Sequence, residues 1–284
     1  MRKINLFLLG IAFFGLCTQA INAYKLRIMS FNIRQTNTDD GPKNLWENRK
    51  DPLCKYVKEV CPDVFGMQEV TKPQLDDVLS RLPGYSFVGV GRDDGKEKGE
   101  YIPVFYRTDK FSVIKKGWFW LSETPDVPSR GWNASCRRIA SWAILEDIKT
   151  KEQFFYCNTH FDHISVPART HSAMLTKEKF KELAGNLPIL FTADFNTNEK
   201  EQTYNLLCSY EYPFLDAWKV AKKKEGGPAT YNGWGKAAKT EDQKIDFLFV
   251  SPSIKVKKAI IHDSAIGDGY YLSDHNALWA DVKW

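Results

Sequence analysis

The feature of this sequence that most restricts its fold is a recurring pattern: a short apolar run of strand formers that stops on a residue able to bind metal or move a proton. Leu26 to Ile33 carries Asn32 in Ser30-Phe31-Asn32, and Val64 to Met67 delivers Gln68 and Glu69. Phe154 to Thr159 ends at His160, and Ile189 to Thr192 leads into Asp194 and Asn196. Ile245 to Val250 holds Asp246, and Ser273-Asp274-His275 precedes Ala277 to Val282. Runs this short read as buried strands rather than helices of ordinary length. One polar residue after a strand is usually a turn or cap. Six such endings, all Asn, Asp, Glu or His, point to one shared site.

The remaining pattern supplies the frame. Further strands are expected at Phe87 to Val90, Ile102 to Arg107, Ile139 to Leu145 and Val256 to His262. Leu53, Tyr56, Val57 and Val60 mark one face of a helix stopped by Pro62. Thr71 and Gln74 form a capping box ahead of the apolar face Leu75, Val78, Leu79 and Leu82. A third helix runs from about Ala168 to Ala184 and closes at Gly185 and Asn186. Many strands and few helices argue an α+β architecture of packed sheets, not a parallel α/β repeat. No linker or internal repeat divides the chain, so residues 24–284 read as one domain. Its 43% hydrophobic content, with nine Trp and eighteen Phe, fills a substantial core.

Residues 1–23 read as a signal peptide. Arg2 and Lys3 form a basic start, Leu6 to Leu16 an apolar stretch, and Ala20 and Ala23 a cleavage zone. The apolar stretch falls short of the roughly 20 residues a membrane span needs. The expectation is a secreted or periplasmic protein without stable membrane insertion; lipid anchoring at Cys17 is a weaker reading, because Leu16 precedes it. The formal charge of +5 falls to +3 once Arg2 and Lys3 are removed, too mild to mark a nucleic-acid-binding surface. Cys54, Cys61, Cys136, Cys157 and Cys208 remain, an odd set without tight spacing, and are expected to be mostly buried, unreactive thiols.

The order of these motifs, from Asn32 to His275, resembles the endonuclease/exonuclease/phosphatase superfamily, and Asn158-Thr159-His160 and Ser273-Asp274-His275 lean toward its deadenylase/nocturnin-like branch. The resemblance implies a sandwich of two mainly antiparallel sheets flanked by helices in four layers, αββα, with the site at one end. It implies Mg²⁺, or Mn²⁺ in its place, held by Glu69 with Asn32 and Asp274. Oxygen donors suit such a cation, and the absence of His-Glu-x-x-His and Cys-x-x-Cys disfavours zinc. By the same resemblance, Asp194 orients or deprotonates the attacking water and Asn196 holds a phosphoryl oxygen. His275, held by Asp246, contacts the scissile phosphate or acts as general base. Glu100, ahead of Val104-Phe105-Tyr106-Arg107, orients His160.

Substrate contacts are expected from Arg138, His163 and Arg169, since a guanidinium fork suits phosphate. Tyr101 and Trp234 are the aromatic candidates, with Tyr231 beside Trp234 and with Trp118, Trp120, Trp132 and Trp142 in or near loops around Arg137 and Arg138. Gly89 to Gly99 fits no phosphate-loop pattern and reads as a flexible surface loop, and Lys222 to Lys224 as a solvated face. The leading expectation is a monomeric, exported, Mg²⁺-dependent hydrolase of a small or medium phosphate ester: a sugar phosphate, lipid head group or nucleotide. A nuclease is the enzymatic alternative, disfavoured for long duplexes by the mild charge. A non-catalytic module binding in the same cleft is the alternative of another class.

Overall fold

The computed structural model describes residues 23–209 and 213–284, so the expected signal peptide, with Cys17, lies outside the described residues up to its last position. The first half of the chain runs β1 (Lys25–Asn32), α1 (Trp46–Val60), β2 (Val64–Gln68), α2 (Lys72–Arg81), β3 (Tyr85–Val88) and β4 (Val104–Arg107). It continues through β5 (Phe111–Trp120), β6 (Ile139–Asp147), β7 (Gln153–His160), α3 (Val166–Ala184) and β8 (Ile189–Asp194). Then come α4 (Gln202–Cys208), β9 (Leu215–Asp216), α5 (Ala217–Val220), β10 (Lys223–Gly226) and β11 (Asp246–Val250). β12 (Lys255–His262), a small hairpin of β13 (Ala265–Gly267) and β14 (Tyr270–Tyr271), and β15 (Ala277–Lys283) complete it.

These strands make a seven-stranded sheet, β10-β12-β15-β1-β2-β4-β3, and a six-stranded sheet, β5-β6-β7-β8-β11-β9. Pairing is antiparallel except at β1–β2, β7–β8 and β10–β12. Period-two alternation explains the layers. Ile28, Val64, Tyr156, Leu190, Leu248 and Leu278 point between the sheets and form their shared core. The alternate set on the first sheet, Met29, Phe31, Phe65 and Met67, packs under α1 and α2. On the second sheet Phe155, Phe191, Phe247 and Phe249 pack with Phe180 of α3 and Leu207 of α4. The result is the expected four-layer α+β sandwich. Each fully buried Ile, Leu or Phe here contributes about 1.5–3 kcal/mol.

Toward one end of the sandwich the core turns polar. Asn158 of β7 donates Nδ2 to the carbonyls of Met67 (2.7 Å) and Pro103 (3.0 Å) on the facing sheet. Its Oδ1 accepts from Gln68 Nε2 at 2.7 Å and Thr192 Oγ1 at 3.1 Å. The sheets approach this closely because residue 66 is glycine; a Cβ there would lie 2.3 Å from the Asn158 side chain.

Five strands, β5, β9, β10, β13 and β14, lie outside those the sequence predicts, and two of them correct a reading made there. Trp118 and Trp120 belong to β5, an edge strand paired along β6, and Lys223 and Lys224 to the exposed edge strand β10. Only Cys54 and Cys157 are buried, with thiols pushed up by desolvation; Cys61 is exposed, Cys136 and Cys208 are half-buried, and all five are free. Among the described residues no helix is long and apolar enough to cross a membrane.

Candidate active site

The alternation that builds the core also fills the site. Along β1, β7 and β8 the inward set ends on Asn32, His160 and Asp194, and β11, antiparallel to β8, begins there with Asp246. Asp194 stands in register between His160 and Asp246. Just past β1, β2 and β8, Arg34 (φ 54°), Glu69 (φ 61°) and Asn196 (φ 47°) take left-handed backbone. Such strain, of order 1–3 kcal/mol per residue, persists where the surroundings fix it.

A hydrogen-bonded chain links these groups. Asn32 Nδ2 donates to Glu69 Oε1 and to Asp194 Oδ2, each at 2.9 Å, while its Oδ1 accepts from the Arg34 amide. Asp194 Oδ1 accepts from the Asn196 amide, and its Oδ2 lies 3.5 Å from His160 Nε2 and 3.7 Å from His275 Nε2. His275 Nδ1 meets Asp246 Oδ2 at 2.8 Å. Burial acts to lower the basicity of His275, but Asp246, Asp194 and Asp274 outweigh it and hold the imidazole protonated. Desolvation and then Asp246 push Asp194 upward. His160 is held neutral, first by burial and then by Arg138 and Arg92. Its Nε2 accepts from Asn196 Nδ2 at 3.0 Å, which leaves the proton on Nδ1.

Across the cleft stands a basic wall. Arg92 NH1 meets Glu100 Oε2 at 2.7 Å, and Arg138 NH2 meets His163 Nδ1 at 2.9 Å. Arg34 pairs with Asp40 through two nitrogens (2.8 and 2.9 Å) and lies 3.6 Å from Glu69 and 3.9 Å from Asp274. Behind Arg34 sits Arg49 of α1, 1% exposed. It donates to the carbonyls of Ile33, Arg34, Asn44 and Leu272, and Trp46 and Trp234 each lie 5.3 Å from its guanidinium. Desolvation lowers it to about 10, and among the described residues it has no carboxylate partner. Together the two sides enclose a cleft of about 590 Å³.

A sequence model of the Endonuclease/Exonuclease/phosphatase family matches residues 29–275, which contain every one of these groups. The chain belongs to that family. Members of the endonuclease/exonuclease/phosphatase family are hydrolases of phosphate esters. A Bacteroides vulgatus family member of known structure is 42% identical, covering 91% of this chain and 98% of that one, with a TM-score of 0.87. A mannosyl-6-phosphatase from Bacteroides thetaiotaomicron is 39% identical over 91% of this chain and 100% of its own, with a TM-score of 0.86. Nocturnin from Xenopus laevis is 21% identical, covering 91% of this chain and 72% of its own.

Within this endonuclease/exonuclease/phosphatase cleft the structure brings together Glu69, Glu100, Arg138, His160, His163, Asp194, Asn196, Asp274 and His275, with Asn32 and Asp246 directly behind. Four expectations are corrected. Tyr101 is buried in the core under the first sheet, and its hydroxyl donates to the Lys96 carbonyl. Arg169 is buried on α3, bonded to the Asp162 carbonyl and to Glu201. Trp234 lies against Arg49 and does not line the cleft. Glu100 bonds Arg92 rather than His160, whose buried Nδ1 has no protein partner. Arg34, Gln35, Arg92, Ser135 and Tyr231 line the cleft without having been singled out as site residues, because their runs carry no local signature. The position of Arg34 two residues after Asn32 was the one available cue.

The donor set fits a hard divalent cation. Glu69, His160 and Asp194 each offer an atom within 4.8 Å of the others, and Asp274 is raised by burial and by the neighbouring Glu69 charge, which a cation would relieve. Asn32, expected as a ligand, stands beside these carboxylates and donates its amide to Glu69 and Asp194.

Proposed function

We propose that this protein is an exported, Mg²⁺-dependent phosphoesterase that hydrolyses the phosphate ester of a sugar. The observation that carries the reading is the mixed lining of the cleft: oxygen donors for a cation at the strand ends with Arg34 beside them, and the further guanidinium groups of Arg92 and Arg138 in the same cavity. A phosphate ester resists attack because its own oxygens repel the nucleophile, and such a cleft neutralises them. The likeness to a mannosyl-6-phosphatase supports a sugar as the leaving group. The basic-apolar-small pattern of residues 1–23 supports export.

Glu69 and Asp274 hold the cation, which when bound supplies Lewis-acid charge at the phosphate. Asp194, raised toward the protonated form by burial and Asp246, orients the attacking water and takes up its proton. His275, kept protonated by Asp246, donates from Nε2 to a phosphoryl oxygen as negative charge grows there, and the proton that Asp194 takes from water passes to the departing sugar oxygen. Neutral His160 and the Asn196 amide form a fixed pair beside it, needing no reorganisation during the reaction.

The test is release of inorganic phosphate from hexose 6-phosphates by the Mg²⁺-loaded mature chain, with p-nitrophenyl phosphate, its bis ester and oligonucleotides alongside. Turnover of the sugar phosphates, abolished by EDTA and by Glu69→Ala, is expected. Cleavage of oligonucleotides alone would replace the sugar reading with the nuclease one. Cell fractionation with N-terminal sequencing near Ala23 tests export.

A further inference from the structure

We infer that Arg92 and Arg138 form a clamp for the terminal oxygens of a dianionic phosphate, so that the cleft selects phosphomonoesters over diesters. This rests on the phosphoesterase reading above and says which ester the site takes.

Arg138 is 4% exposed, and among the described residues the carboxylate within ion-pair distance is Asp162, 3.6 Å from Nε. That carboxylate is already committed to the amides of Ser135, Ile164 and Ser165 and to the Ser135 hydroxyl. Arg138 makes no hydrogen bond to it, and among the described residues only NH2, spent on His163, is hydrogen-bonded. Arg92 gives NH1 to Glu100 at 2.7 Å, which leaves its NH2 uncommitted. Among the described residues, NH2 of Arg92 and NH1 of Arg138 have no hydrogen-bond partner, and both residues line the cleft.

Arg92 is presented deliberately. Its carbonyl is fixed by Trp120 Nε1 at 2.7 Å, and the loop that carries it closes so tightly that a Cβ on Gly91 would lie 2.3 Å from the Lys98 carbonyl. A monoester, with its second pKa of about 6, brings two charges and three terminal oxygens. The strand-end side can engage part of that group, and the arginine pair takes what faces the wall. A diester replaces one charged oxygen with an alkylated one, a poor acceptor that drives its substituent into the wall.

The experiment compares binding of a non-hydrolysable benzylphosphonate dianion with its monomethyl ester, by calorimetry, on the Mg²⁺-loaded protein above the phosphonate's second ionisation. Wild type should prefer the dianion. Arg92→Met and Arg138→Met should each weaken dianion binding on the order of 10- to 100-fold, the loss of a charged hydrogen bond, and weaken the monomethyl ester, which stands in for a diester, far less. Arg92→Lys keeps a charge beside Glu100 and should fall between, which guards against a folding defect in the Met variant. Equal affinity for the two ligands in wild type, or equal losses for both in the variants, overturns the clamp. Failure to hydrolyse any sugar phosphate overturns the proposed substrate but leaves this binding result to stand or fall by itself.

Discussion

Replacing Asn158 by Leu should unfold the protein well before it alters any surface. The side chain has similar length, but all four hydrogen-bonding partners of Asn158 are buried between the sheets. The Met67 carbonyl would lose this donor and the Gln68 amide this acceptor, while the Pro103 carbonyl keeps the Met67 amide and the Thr192 hydroxyl turns to the Cys157 carbonyl. Each buried group left unmatched costs about 1–3 kcal/mol. Gly66 leaves no slack, since it allows closest approach at that very side chain. The sum is about 2–6 kcal/mol, and for a domain of this size each kcal/mol lowers the midpoint by about 2–4 °C. A fall of about 4 °C or more in the unfolding midpoint, followed by circular dichroism, is expected. Asn158→Asp keeps the acceptor and should do part of the damage through its lost donors. A Leu variant melting within about 3 °C of wild type would refute the view that this residue joins the sheets.

Three further outcomes follow from other contacts. Gly66→Ala forces a Cβ to 2.3 Å from Asn158 and should cost at least about 1–3 kcal/mol in urea unfolding. Burial would raise the Asp162 carboxyl, but Ser135 and the Ser165 and Ile164 amides hold it down to about 2. Its stabilisation is thus complete above the ordinary aspartate range and lost as pH falls through about 2, so Asp162→Asn should be less stable at neutral pH and converge with wild type in strong acid. Asp246→Asn removes the carboxylate that offsets the burial of His275; the imidazole should titrate at lower pH by NMR, and turnover should fall about 10²- to 10⁴-fold.

The strands that form the cleft were legible because both of their faces are covered: an apolar run ending in Asn32 or Asp194 leaves few other readings. β5 was not legible, since as an edge strand it exposes Ser112, Lys115 and Lys116 and shows no clean alternation until Phe119 and Trp120. β10 hid in a lysine run for the same reason, charged edges being a protection against unwanted pairing. α1 begins at Trp46, earlier than its apolar face at Leu53 suggests, because Pro52 sits inside it and interrupts the pattern. The acids and histidines of the site could be read at strand ends, whereas Arg92 belongs to a charged loop that becomes a wall only when β4 and β6 are folded beside it. Tyr101 and Arg169 failed as substrate contacts because motif proximity does not say which way a side chain faces.

Arg49 ties the working end of the molecule to its outer helix layer. One guanidinium, buried and among the described residues without a carboxylate in hydrogen-bond contact, satisfies carbonyls on both sides of the cleft's acidic edge, at Ile33 and Arg34 and again at Leu272, two residues before Asp274. Any local opening of either segment would strand carbonyls and a charge away from water, a cost comparable to losing the helix itself. Amides of these segments should therefore exchange with solvent only as slowly as the core. Heat should then take activity and structure together, leaving no folded but idle enzyme in between.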